Sequence, residues 1–198
     1  MPKCSERTLN QINEISGENN NKVAIVLACP GKIENEEGEI CSGETGENLS
    51  KLLKFANEHL PEIFLYDDIC KYRITNASMK VYPNESTKRT VPYIEDITDH
   101  DNIKRLAKKL RGMEYIVLLG KSAIRAYSEL VKSFPDFEDK TPVIHGHLSL
   151  QRINSSIKLD ENSKKLSQSE RSIMRLDIDF RGFLQKAQTL YANYDNNE

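Results

Sequence analysis

The chain has no apolar run long enough to cross a bilayer and no stretch with the charge-then-apolar order of a secretory signal. Both absences argue against a membrane partner and predict a cytoplasmic protein. Cysteine is scarce: the 4 cysteines, Cys4, Cys29, Cys41 and Cys70, stand apart rather than in close pairs. That spacing excludes a disulfide framework and predicts four reduced thiols. No complete Gly-x-x-x-x-Gly-Lys-Ser/Thr phosphate loop occurs, which removes the commonest nucleotide-hydrolysing motif. There is no internal repeat and no sign of a second domain. Charge of one sign is lacking as well, since 28 Lys and Arg stand against 30 Asp and Glu for a net charge of -2. A near-neutral total gives no global pull on a polyanion but leaves room for a local one.

What is present suffices for one folded domain over residues 1–198, because this length with 38% hydrophobic residues buries a continuous core. The most informative stretch is residues 23–49, VAIVLACPGKIENEEGEICSGETGENL. An apolar run there breaks at Pro30-Gly31 into an acidic loop, then reaches a glycine-flanked helix start. Such a run reads as a strand buried on both faces of a parallel sheet, and ligands of open α/β sheets bind beyond the carboxyl ends of their strands. A phosphate- or base-binding crevice is therefore expected against residues 28–46. Charge is unevenly spread: Glu34, Glu36, Glu37, Glu39, Glu44 and Glu47 crowd one segment, and Lys104, Arg105, Lys108, Lys109, Arg111, Lys121 and Arg125 another. Solvated surface explains both, and a DNA-facing basic strip is the functional alternative for the second.

Periodicity and breakers predict the remaining elements. A polar helix is expected over Glu6–Ile15, with a turn at Gly17 and Asn19–Asn21 before the first strand. A helix near Gly46 presents Leu49, Leu52, Leu53 and Ala56 on one face. A second strand falls over Tyr72–Asn76, with Ile63–Tyr66 as its competitor, followed by a long polar loop over Tyr82–Pro92. A helix over Asp101–Leu110 ends at Gly112, a strand spans Tyr115–Leu119, and Gly120 opens a helix through Val131. Thr141–Ile144 makes a short strand ending in His145-Gly146-His147, and a helical segment runs from about 160 to 192, with residues 193–198 frayed.

The order of motifs resembles the uracil-DNA glycosylase superfamily, in particular its small bacterial and archaeal type. That type opens on a GEAPG-like turn, an acid and a run of three spaced glycines. Here Leu27-Ala28-Cys29-Pro30-Gly31, Glu34, and Gly38, Gly43 and Gly46 keep the spacing. Ile74-Thr75-Asn76 with Lys80 and Pro83 resembles the second motif, and Leu119-Gly120-Lys121-Ser122-Ala123 the third. His147-Leu148-Ser149 with Arg152 resembles the fourth, except that Leu148 replaces its proline. The matches span residues 23–152. The resemblance implies a three-layer α/β/α fold around a central, mostly parallel four-stranded sheet. It also implies a monomeric enzyme that flips a base out of DNA and hydrolyses its N-glycosidic bond.

Each position then has a chemical reason. Cleaving a base from its sugar builds positive charge on the sugar and negative charge on the leaving base, so the site needs partners for both. His147 is the expected donor to the base, with His145 as an alternative, and Glu34 the expected partner of the cationic sugar or of the attacking water, with Glu36 and Glu37 as rivals. Asn76 has the paired donor and acceptor that read a base edge, although a turn cap is the ordinary use of such a residue. Backbone amides at Cys29 and Gly31 line the base side, where Pro30 fixes the turn and Gly31 permits close approach. Ser149 and Arg152 face phosphates or, for Arg152, a salt bridge. Leu150 and Gln151 lie where the family inserts a wedge into the duplex.

Three departures qualify the resemblance. Ala28 stands where the family places an acid, which leaves Glu34 without its usual companion. Cys41 occupies the position of the stacking aromatic, which removes about 1–3 kcal/mol of stacking and suggests a base bulkier than uracil, such as hypermodified phage cytosine. Tyr82 or Tyr93 on the long loop is the alternative source of an aromatic wall. The cysteines lack the spacing of the family's iron-sulfur cluster, so no metal and no cofactor is expected. Two other classes fit the same sequence: an inactive nucleic-acid or nucleotide binding module on this fold, and an unrelated doubly wound α/β hydrolase or transferase with a cation in the acidic loop.

Overall fold

The structure, a computed structural model, describes residues 14–82 and 90–191. Four strands, β1 (Val23–Leu27), β2 (Arg73–Asn76), β3 (Tyr115–Leu119) and β4 (Val143–His145), form one all-parallel sheet in the order β2-β1-β3-β4. Helices cover both faces, so the architecture is the three-layer α/β/α sandwich. The register sets Leu27 beside Asn76 at one end of the sheet and Leu119 beside His145 across it.

The unbroken apolar run of β1 follows from burial on both sides. Val23, Ile25 and Leu27 enter one core with Ile74, Val117, Leu119 and Val143, while Ala24 and Val26 enter the other with Ile116 and Leu118. The first core is closed by α2 (Glu44–His59), through Leu49, Leu52, Leu53 and Ala56, and by α7 (Gln168–Tyr191). Phe180, Phe183, Leu184, Ala187 and Tyr191 recur at helical spacing and form α7's buried stripe. The second core is closed by α4 (His100–Leu110) and α5 (Lys121–Ser133).

Several expectations are corrected. The acidic segment is not a loop: Lys32–Glu37 forms α1, stopped by Gly38 at a left-handed φ of 68°. Residues Ile94–Thr98, for which the sequence predicts no element, form the short helix α3, and Leu150–Ser156, within the segment expected to face DNA as a loop, form α6. The C-terminal segment is broken, with a 3-10 turn over Glu161–Lys165 preceding α7. Ile63–Tyr66 is not a strand. Most of the helix expected over Glu6–Ile15 lies outside the described residues, as do Cys4, Pro83 and residues 193–198, but Ile15 pairs with Ile74 as an antiparallel bridge.

The expectation of four reduced thiols is also corrected: Cys70 is disulfide-bonded, while Cys29 and Cys41 are not. Sequence spacing registers only local cysteine pairs, and no close pair marks Cys70. Among the described residues no helix is long and apolar enough to cross a membrane.

The basic strip divides in two. Arg105 turns inward, donating to Glu14 at 2.6 Å, to the Thr75 hydroxyl at 2.8 Å and to the Asn76 carbonyl at 2.6 Å, and Lys109 pairs with Glu14 at 2.7 Å. Burial raises the Glu14 carboxyl, but Lys109, Thr75 and Arg105 outweigh it and hold the group below its usual range. Lys104, Lys108, Lys121 and Arg125 stay exposed. Arg105 and Lys109 thus fasten α4 to the end of β2 rather than facing a ligand.

Candidate active site

A cavity of about 820 Å3 opens at the carboxyl ends of β1, β3 and β4. The chain leaves β1 for β2 on one side and later returns to β3 on the other, so the cavity lies at the sheet's topological switch point, where open α/β sheets bind ligands. Ala28, Cys29 and Gly31 after β1, Gly120 to Ser122 after β3, and His145 to His147 after β4 line it.

The segment after β2 reaches the same place by prolonging the ladder. Ala77 N–H donates to Leu27 O at 2.8 Å, Ser78 N–H to Ala28 O at 3.1 Å, and Tyr82 N–H to Pro30 O at 3.0 Å. Tyr82 thereby becomes a wall of the cavity, with Tyr93 packed edge-on against it at 6.0 Å between ring centroids. The Tyr82 hydroxyl donates to Asp96 at 2.5 Å, which holds the ring in place. Of the two tyrosines named as alternative aromatics, Tyr82 lines the cavity.

Glu34 lies in the first turn of α1. Its two oxygens accept from the Gly31 N–H at 2.6 Å and from the Cys41 N–H at 2.5 Å. The carboxylate closes the loop on itself while still lining the cavity. Cys29 beside it is no nucleophile: burial and the nearby Glu34 charge push its thiol up to about 12. Cys41 adopts a left-handed φ of 63° and packs into the apolar core beneath the cavity rather than lining it. Its carbonyl sits under Gly46, where a Cβ would lie 1.9 Å from the Cys41 oxygen. The third glycine of the run is therefore required by a backbone contact.

His147 lines the cavity from the β4–α6 loop. Its Nδ1 accepts from the Ser149 N–H at 3.2 Å, which leaves the ring proton on Nε2 as a donor. Burial, with the Arg152 charge close by, holds His147 below its ordinary value and favours the neutral ring at pH 7. Leu148, in place of the family's proline, is fully buried, and its carbonyl accepts from Asn48 of α2 at 2.8 Å. The Ser149 hydroxyl caps α6 by accepting from the Arg152 N–H.

Arg152 is spent inside the protein. Its Nη1 and Nη2 grip Asp179 of α7 at 2.6 and 2.8 Å, and its Nε donates to the His147 carbonyl at 2.6 Å. Of the two roles open to it in sequence, the salt bridge is the one present. His145 also turns to Asp179, through Nε2 at 3.0 Å, and its Nδ1 is buried with no partner among the described residues. His147 is therefore the better placed of the two histidines to donate into the cavity.

Gln151 and Ser149 line the cavity rim, and Leu150 stands half-buried in the first turn of α6. Asn76 is buried beside the cavity, in register with the lining residue Leu27, and does not line it. Thr45, Lys121, Ser122 and Lys186 line it without having been singled out for it. Lys121 and Ser122 follow directly on the Leu119-Gly120 break, a signal available in sequence. Lys186 and Asp179 sit on a helix with no motif to mark them.

Among the described residues no group of three or more His, Cys, Asp or Glu side chains is placed to hold a metal. The cysteines do not fit an iron-sulfur cluster, since Cys29 is a protonated wall residue, Cys41 is core and Cys70 is bonded. No protein-family model matches the chain, and a search of curated proteins finds no match. Chemically, the arrangement offers a neutral imidazole donor and a fixed carboxylate on one cavity, with a backbone turn that approaches closely at Gly31.

Proposed function

We propose that this protein is a DNA glycosylase that accepts a flipped base in the cavity and hydrolyses its N-glycosidic bond, leaving an abasic site. The observation that carries the reading is the joint placement of His147 and Glu34 on one cavity at the sheet's switch point. In this mechanism His147 Nε2–H donates to the base carbonyl as negative charge builds there. A neutral N–H donor can serve there, because its bond to the base carbonyl strengthens as that oxygen becomes anionic. Glu34, fixed by two backbone N–H groups, presents a negative charge to the cationic sugar without moving. The backbone at Cys29 receives the base, Gly31 allows the close approach while its N–H is held by Glu34, and Asn76 lies buried beside the cavity in register with Leu27.

The substrate is uracil or a bulkier modified pyrimidine. The cavity, about 820 Å3 and walled by Tyr82 rather than by a ring at position 41, has room beyond a bare pyrimidine and favours the second. The partner is DNA, met by a monomer. A DNA substrate places the reaction in the cytoplasm, with which the bond at Cys70 is at odds.

One observation favours a second reading. Both Glu34 oxygens are already occupied and Ala28 supplies no further acid, as in a module that holds a base or nucleotide without cleaving it. Incubation with oligonucleotides carrying uracil, hypoxanthine, or plain, hydroxymethylated or glucosylated cytosine separates the two. Alkali-sensitive sites and freed base that vanish in His147→Ala and fall in Asn76→Ala support the glycosylase. Binding with no release from any of these substrates leaves the module.

A further inference from the structure

We infer that Asp179, on the C-terminal helix, is a positioning residue for the His147 loop and acts on it through Arg152. The inference rests on the glycosylase reading of the cavity. Asp179 is only 6% exposed, yet its carboxylate receives three hydrogen bonds: Arg152 Nη1 at 2.6 Å, Arg152 Nη2 at 2.8 Å and His145 Nε2 at 3.0 Å. A bidentate grip of this kind fixes the guanidinium plane as well as its position. The remaining edge of the same guanidinium then points Nε at the His147 carbonyl, 2.6 Å away. The backbone of the donor residue is thus held from α7, and its ring is held by Ser149.

The local sequence is shaped to this path. A Cβ at Gly146 would lie 2.7 Å from Arg152 Cζ, so a side chain there would push the guanidinium off its line. Ser149, which orients the ring through its N–H, caps α6 by accepting from Arg152 N–H, so ring, loop and arginine form one unit. Anchoring of α7 does not require Asp179, because Phe180, Phe183, Leu184, Ala187 and Tyr191 already bury that helix. What Asp179 adds is direction: without a carboxylate, Arg152 loses its counter-charge in a half-buried site and turns toward solvent, releasing the His147 carbonyl.

The test compares wild type, Asp179→Asn and Arg152→Lys by steady-state base release and by imidazole 15N NMR of His147. Asp179→Asn keeps the size and removes the charge, and Arg152→Lys keeps the charge and removes the fork. Circular dichroism confirms that each variant is folded, and the lysine variant carries the test if the asparagine one is not. Expected are a kcat lower by tenfold or more with KM within twofold, and a His147 ring that passes from the single Nε2–H tautomer to a mixture. The double variant Asp179→Asn/His147→Ala should be no slower than His147→Ala alone. A folded Asp179→Asn variant with wild-type kcat, or with an unchanged His147 tautomer, overturns the inference. Wild-type protein that releases no base sinks the glycosylase reading instead, and the tautomer comparison then still decides whether Asp179 positions His147.

Discussion

Replacing Gly46 by alanine is a sharp test of how the cavity floor is built. A Cβ at Gly46 would fall 1.9 Å from the Cys41 oxygen, 2.4 Å from its carbonyl carbon and 2.6 Å from its Cα. All three are backbone atoms, so no side-chain rotation relieves the clash. Ordinary contact begins near 3.4 Å, and 3.4 less 1.9 leaves about 1.5 Å of retreat for the Cys41 carbonyl. That retreat carries the Cys41 N–H away from Glu34, whose 2.5 Å bond is charge-assisted and contributes about 1.5–3 kcal/mol. Overpacking adds a cost of about 1–3 kcal/mol, and the better helix propensity of alanine offsets up to about 1 kcal/mol. The net loss is about 1.5–6 kcal/mol, which for a chain of this length lowers Tm by roughly 3–24 °C. Thermal unfolding followed by circular dichroism measures it. Gly182→Ala is the control, because nothing lies within 4 Å of its Cβ and the residue is inside α7, so it should gain about 0.5–1 kcal/mol. A Gly46→Ala protein that melts with wild type would refute the contact and, with it, the account of Glu34 as the clasp of the loop.

Four further outcomes are expected. Because the His147 value is lowered by burial and by Arg152, the neutral donor persists below the ordinary histidine range, and base release should fall only at still lower pH. The same group contributes stability that is full above the ordinary value and lost as pH falls below it, since the unfolded chain takes up that proton first. A rate that instead rises on acidification would mean that the imidazolium is the active form. Alkylating reagents at neutral pH should leave Cys29 unmodified in the folded protein, and Cys29→Ser should retain activity, because the thiol is pushed up to about 12; mass spectrometry and the release assay check both. Removing Arg105, as Arg105→Met, takes one of two cationic partners from Glu14 and leaves Lys109, so it should cost about 1–3 kcal/mol by denaturant unfolding. Neutralising the exposed Lys121 and Arg125 should instead leave stability alone and reduce the salt slope of DNA binding by about 1 per side chain.

The sheet was legible in the sequence because its strands are short, apolar and broken by Pro30-Gly31, Gly112 and Gly120, and such signals act within a few residues. His147, Ser149 and Glu34 became candidates through the resemblance of short motifs in a known order. What a few residues cannot record is which way a side chain turns once its element has docked. Arg105 read as solvated surface or part of a DNA-facing strip and Arg152 as a phosphate contact or a salt bridge, and tertiary contacts turned the first to Glu14 and the second to Asp179. Cys41 read as a pocket residue, and close packing of its carbonyl against Gly46 sent its thiol into the core. The acidic run read as a loop until Glu34 folded back on the Gly31 amide and made a helix of it. By itself the sequence determined the order of the strands along the chain, the breaks between them and the residue types at their carboxyl ends, since these follow from local backbone preference and burial. Only the tertiary structure decided which of those residues face the cavity, that Tyr82 forms its wall and that the C-terminal helix lines it with Lys186 and holds Arg152 through Asp179, because each depends on contacts between segments distant in the chain.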